Sequence, residues 1–138
     1  MALRLDRTKL NPAIPYIYIF DTDNSIWDIF IIKSSNYRIE FCHGENSSTM
    51  PDTFKDVKKL QETDPTILKI FVNKSVQVNC HFFIEDEIEL DIDPKEISDK
   101  CSYDSIISFM YWLSFCSGKL AYLTNENSPD QIILFINN

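Results

Sequence analysis

Two kinds of residue grouping in this chain could do chemistry. Cys42-His43 and Cys80-His81 each set a thiol beside an imidazole, and a row of carboxylates runs from Glu85 to Asp93. Two Cys and two His can satisfy a tetrahedral zinc ion. Neighbouring residues on a strand point to opposite faces, however, so a core-facing Cys80 leaves His81 in solvent and no single ion meets both. The expectation is core cysteines, surface histidines and neither metal nor cofactor. Nucleophilic catalysis needs a Ser or Cys activated by a base, and His43 and His81 are the only imidazoles. Neither lies in a catalytic motif, and no catalytic residue is assigned. His43, beside Gly44 in a polar stretch with Glu40 and Glu45 close in sequence, is where a small enzyme of unknown reaction would have its site.

The carboxylates are concentrated. Residues 85–104 hold Glu85, Asp86, Glu87, Glu89, Asp91, Asp93, Glu96, Asp99 and Asp104 against Lys95 and Lys100, a net of -7 within a chain of net -8. The acidity is therefore local, and a broad basic face for nucleic-acid phosphates is excluded. Only Gly44 and Gly118 occur in 138 residues, which rules out a Gly-rich phosphate loop and the dinucleotide fingerprint. A calcium loop curls its ligands around the ion and uses a glycine to turn, whereas these carboxylates alternate along a strand. Two readings of the row stay open: a solvated polar face of an antiparallel sheet, or a surface matched to a basic protein. Glu87, Glu89, Asp91 and Asp93 would stand about 6.7 Å apart on one face, each neighbouring pair repelling by roughly 0.6 kcal/mol in water before screening. A sheet face used only for solubility would mix Lys with Glu, and a row of one sign speeds association with a cationic partner.

The elements that hold this row are those of one α+β domain, an antiparallel sheet packed against two or three helices. After a polar entry from Thr8 to Pro12, Tyr16–Phe20 reads as a strand. Ile26–Lys33 reads as a second, buried one, joined through a hairpin at Ser34-Ser35-Asn36 to a third from Tyr37 to Cys42. Pro51 and Asp52 open a short helix with Phe54, Val57 and Leu60 at helical spacing, and Ile67–Val72 resumes strand. Ser102 is the expected N-cap of an apolar helix running to Ser117, stopped by Gly118. Leu120–Leu123 and Gln131–Ile136 form a last pair of strands around a loop from Asn125 to Pro129.

From Val76 to Ile92 the apolar residues keep to even positions, with Asp86 the one break. Seventeen extended residues would span roughly 56 Å, against about 37 Å for a globule of this size. The segment must turn near Asp86. A two-residue loop would place Phe82 opposite Glu89 and mix the faces. A three-residue loop, Glu85–Glu87, instead sets Ile84 against Ile88, Phe82 against Leu90 and Cys80 against Ile92, with His81 opposite Asp91 and Phe83 opposite Glu89.

The Ser-capped apolar helix Ser102–Ser117, with the run Lys119-Leu-Ala-Tyr-Leu-Thr-Asn-Glu-Asn-Ser-Pro-Asp-Gln-Ile-Ile-Leu-Phe-Ile136 behind it, resembles the ending of small bacterial immunity proteins. These are the partners of polymorphic toxins and of contact-dependent growth inhibition systems. The resemblance is confined to the C-terminal third and carries no contact residues over. It implies a small, acidic, cytoplasmic, non-enzymatic protein that binds a cognate toxin domain, often a basic nuclease. With the charge tally, the expected contact is Glu85, Asp86, Glu87, Glu89, Asp91 and Asp93, extended by Asp99 and Asp104, with no nucleic acid and no membrane involved. The cysteines would stay reduced in that compartment. The alternatives are the small enzyme at His43 and an adaptor that meets its partner through exposed aromatics such as Phe83.

Overall fold

The structure, a computed structural model, describes residues 15–125 and 128–137, and the side chains of all of these except 125–134. The polar entry expected at Thr8–Pro12 lies outside the described residues, as do Glu126 and Asn127 of the expected last loop.

Eight strands form one antiparallel sheet: β1 (Pro15–Phe20), β2 (Arg38–His43), β3 (Asn46–Ser47), β4 (Thr66–Phe71), β5 (Gln77–Cys80), β6 (Glu87–Ile92), β7 (Ala121–Asn125) and β8 (Ser128–Ile136). Their spatial order is β3-β2-β4-β5-β6-β1-β7-β8. Three helices, α1 (Asn24–Lys33), α2 (Phe54–Leu60) and α3 (Lys100–Ser117), cover one face. The expected α+β class and antiparallel sheet are what the chain forms. Ile17, Ile19, Leu68, Ile70, Val78, Ile88, Leu90 and Ile92 from the sheet meet Trp27, Phe30, Phe54, Val57, Phe109 and Leu113 from the helices in the core.

One expected strand is a helix. Residues 26–33 belong to α1, because Asp23 caps the segment, its Oδ1 accepting from Ile26 N at 2.9 Å. Trp27, Phe30 and Ile31 then fall on one buried face at helical spacing, leaving Ile29 and Ile32 exposed. Ser34–Asn36 is a single 3₁₀ turn leading out of that helix, not a hairpin. α3 also starts earlier than expected. Asp99, not Ser102, is its N-cap, with Oδ1 accepting from Ser102 N at 2.8 Å. Gly118 ends it in the left-handed conformation at φ 68°, as the sequence indicates.

The turn required near Asp86 is present, but its register differs from the expected one. Val78 pairs with Ile92, Asn79 with Asp91 and Cys80 with Leu90, while an isolated bridge joins Ile84 to Glu87 around the two-residue loop Glu85-Asp86. A two-residue loop should have mixed the faces. It does not, because one extra residue is absorbed between Cys80 and Ile84, where Phe82 takes φ 59° and still buries its ring completely. A buried aromatic in the left-handed region is uncommon and strained. The irregularity restores parity on the far side of it. Ile84, expected inside, is exposed for the same reason.

Candidate protein-docking site

β6 lies inside the sheet, with β5 on one side and β1 on the other. Its even residues Ile88, Leu90 and Ile92 are buried under the helices, so Glu87, Glu89 and Asp91 project from the opposite, outer face. Cross-strand neighbours on that face are Phe20 beside Glu87, Tyr18 beside Glu89 and Tyr16 beside Asp91, with Asn79 across from Asp91 on β5. The aromatic rings of β1 run in a file along the row: Tyr16 to Tyr18 at 6.2 Å and Tyr18 to Phe20 at 5.3 Å, the planes inclined by 23° and 11°.

The row is partly committed to its own neighbours. Tyr18 Oη donates to Glu89 Oε1 at 2.8 Å. Asp91 accepts from Asn79 Nδ2 at 2.9 Å and stands 2.9 Å from His81 Nε2. The hydrogen bond to Asp91 raises the His81 pKa against a smaller opposing effect of burial, and the charges of Asp91 and Glu89 add to the rise. Burial pushes the Tyr18 phenol up, helped by its bond to Glu89 and the charge there. Glu87 is different. Among the described residues nothing hydrogen-bonds or pairs with its carboxylate. Desolvation, then the charges of Glu89 and Asp86, raise its pKa.

The structure divides the eight expected contact residues. Glu87, Glu89 and Asp91 stand together, and Glu85 and Asp86 form the exposed hairpin loop at the end of their row. Asp93 leaves the row and caps a 3₁₀ turn at Pro94–Glu96, its side chain accepting from Lys95 N at 3.0 Å. Asp99 is the cap of α3, and Asp104 on the same helix is paired with Lys100 at 2.8 Å. α3 packs on the helical side of the sheet, so Asp99 and Asp104 do not extend the row.

Sequence reasoning missed the scaffold behind the hairpin loop. Six successive carbonyls, from His81 to Asp86, accept hydrogen bonds from elements far away in the chain. Gln61 Nε2 serves His81 and Phe82 at 3.0 and 3.1 Å, and Lys58 Nζ serves Phe82 and Phe83 at 3.2 and 3.0 Å. The buried Trp27 indole donates to Ile84 and Glu85 at 3.1 and 3.0 Å. Thr22 supplies its hydroxyl to Glu85 at 2.6 Å and its backbone N–H to Asp86 at 3.1 Å. With the backbone turned inward, Phe83 and Ile84 are driven out, 55% and 46% exposed. A Trp can be read as core from sequence, but nothing local says that its N–H serves a loop 57 residues away.

Phe83 stacks on His81, centroids 5.1 Å apart and planes within 18°. These two rings line a recess of about 450 Å³ together with Ile84, Glu87, Glu89 and Asp91, and Tyr16 lines it beside Asp91. Other exposed large apolar side chains are Ile29 and Ile32 on α1, Phe115 on α3 and Phe135 on β8.

His43, the alternative site, lines a separate open recess with Glu45, Asn46 and Asp64. Its Nε2 lies 2.7 Å from Leu60 O and 3.0 Å from Thr63 Oγ1, tying β2 to the end of α2. Gly44 follows at φ 63°, where a Cβ would meet the Asp64 side chain at 3.3 Å. Glu40 pairs with Lys69 at 3.3 Å rather than with the imidazole. The four cysteines are free. Among the described residues no three His, Cys, Asp or Glu side chains gather as metal ligands, and no helix is long and apolar enough to cross a membrane.

Comparisons with protein-family models, curated proteins and solved structures give no match.

Proposed function

We propose that this chain is an immunity-type inhibitor that binds a cationic toxin domain, a nuclease by the resemblance of its C-terminal third, and masks it with the outer face around β6. The observation that carries this reading is the composition of the face. Three carboxylates in a row are flanked by the half-buried Tyr16 and Phe20 and the buried Tyr18 on one side and by Gln77, Asn79 and His81 on the other, with no Lys or Arg among them. A solvated face would gain by mixing signs. One sign beside aromatic rings, with Phe83 exposed at the end of the row, is the composition of a surface that steers an oppositely charged partner and anchors it. Chemistry on substrate is not needed for such a role, and the compartment it requires is that of the toxin's target.

The test is co-expression with the product of the adjacent open reading frame, followed by association kinetics over a salt series. Reversal should be confined to Glu85 and Glu87. Glu89 and Asp91 hold Tyr18, Asn79 and His81, so their replacement would disturb the fold as well as the charge. The expected result for Glu85→Lys with Glu87→Lys is an association rate lower by about tenfold at low ionic strength, converging with wild type as salt rises. Rates equal to wild type at every salt concentration would remove the row from the interface.

A further inference from the structure

The recess beside Glu87 has a shape as well as a charge. Glu87, Glu89 and Asp91 of β6 line it, the stacked His81 and the exposed Phe83 stand on its β5 side, and Tyr16 lines it at the Asp91 end. A largely exposed ring beside unpaired carboxylates describes a slot for a flat cation. Asp91 already faces His81 and Asn79, and one oxygen of Glu89 is taken by Tyr18, which leaves the Glu87 carboxylate and the second Glu89 oxygen without a partner among the described residues. Lys58, the cation of the neighbouring recess, is turned to the Phe82 and Phe83 carbonyls.

Resting on the reading that a cationic protein docks on this face, we propose that the slot receives one arginine side chain of that partner, its guanidinium stacked against Phe83 and hydrogen-bonded to Glu87 and Glu89. Arginine fits where lysine does not. A guanidinium is planar, stacks on aromatic faces and presents paired donors to carboxylates, whereas an ammonium is a compact, strongly hydrated point charge. The socket is also pre-built: the six anchored carbonyls from His81 to Asp86 fix Phe83 before any partner arrives, so little ordering entropy is lost on binding.

The experiment titrates the ¹⁵N-labelled full chain with N-acetyl-arginine methylamide, and separately with its lysine and citrulline counterparts, following backbone amide shifts. The expected result is saturable shifts confined to His81–Asp91 and Tyr16, with arginine bound at least about fivefold more tightly than either counterpart. Phe83→Ala and Glu87→Gln should each weaken arginine by roughly five- to tenfold. Both sites are at the surface, and a dispersed amide spectrum verifies folding. Phe83→Leu, which keeps apolar bulk and removes the ring, should weaken arginine similarly and serves if Phe83→Ala does not fold. Equal response to lysine, shifts elsewhere, or binding unchanged in the Phe83 variants would overturn the assignment. Salt-sensitive capture of a cationic domain without arginine binding in the slot would overturn the socket and leave the inhibitor reading standing. Arginine binding in the slot with no association to the adjacent gene product would support the socket and count against the inhibitor reading.

Discussion

The pair His81–Asp91 makes a prediction whose sign is fixed by the structure. The side chains are 34% and 24% exposed at a separation of 2.9 Å, which places the pair between a surface ion pair, worth at most about 1 kcal/mol, and a buried one, worth several. Solvent screening pulls it toward the lower end, so a contribution of about 1 kcal/mol is expected from the charged form. Because Asp91 raises the His81 pKa in the folded state, this stabilisation is fully present below the unfolded value of about 6.5 and is lost as pH rises through the folded value. The measurement is urea unfolding of wild type, His81→Gln, Asp91→Asn and the double variant at pH 6 and pH 9. In His81→Gln the new amide can still donate to Asp91 but does not titrate. The wild-type advantage over His81→Gln should fall by about 1 kcal/mol between the two pH values, a Tm difference of about 3 °C. In the Asp91→Asn background that change should largely disappear. Asp91→Asn also disturbs the bond from Asn79, so only the pH-dependent part of the cycle reads the pair. With two imidazoles in the chain, proton NMR can titrate His81 and His43 separately. A His81 advantage that is flat or grows with pH would show that burial, not Asp91, governs the imidazole, and the account of this corner would fail.

The other predictions concern strain and charge near the same loop. Glu87→Gln should stabilise the protein by at most about 0.5 kcal/mol at pH 7, the effect being reduced by solvent screening, because a carboxyl whose pKa is raised by desolvation and by Glu89 and Asp86 destabilises the fold when ionised. The gain should vanish near pH 3, where wild type is protonated, and unfolding at the two pH values checks it. Phe82→Ala should cost about 3–5 kcal/mol for its buried ring. Phe82→Gly should cost no more than that, although Gly is ordinarily worse than Ala by about 1 kcal/mol, since φ 59° strains every side-chain-bearing residue there. A glycine variant distinctly less stable than the alanine one would contradict the strain argument.

What is legible in the sequence follows the range of the physics. Parity along 76–92 names the buried residues of β5 and β6, and the length argument requires their turn, because both depend on the residues of one segment. The run Ile26–Lys33 misleads for a local reason. Its isoleucines suit a strand, while the helical signal is carried by Asp23 as cap and by the 3–4 spacing of Trp27, Phe30 and Ile31. Ser102 competes with Asp99 on similar terms: both are good N-caps, and the choice depends on where packing begins α3. The hairpin register is beyond local reasoning. It rests on Phe82 accepting a strained φ so that its ring reaches Trp27 and Phe41. The partners of the acidic row are equally hidden, since Tyr18 meets Glu89 across 71 residues. One strand's carboxylates can be read from the sequence; the ring file beside them cannot.

The interior position of β6 decides how this face can recognise anything. With β1 paired on one side and β5 on the other, continued by the Ile84–Glu87 bridge, β6 presents no free edge and cannot accept an added strand, a mode that needs one. Recognition there must run through side chains. Of those, Tyr18 is linked to Glu89, and Asn79 and His81 are linked to Asp91, so the middle of the row offers a fixed negative potential more than new hydrogen bonds. Glu87, the second oxygen of Glu89, Phe83, Ile84 and the loop at Glu85-Asp86 are the groups with capacity left. All but the Glu89 oxygen sit on or beside the segment whose carbonyls are tied to Trp27, Lys58, Gln61 and Thr22. On the proposed reading, the carboxylates of the row and its loop therefore set the encounter rate, and the exposed Phe83 and Ile84 set the lifetime of the complex. Charge reversal at Glu85 and Glu87 and ring changes at Phe83 should then separate kinetically, the first in association and the second in dissociation.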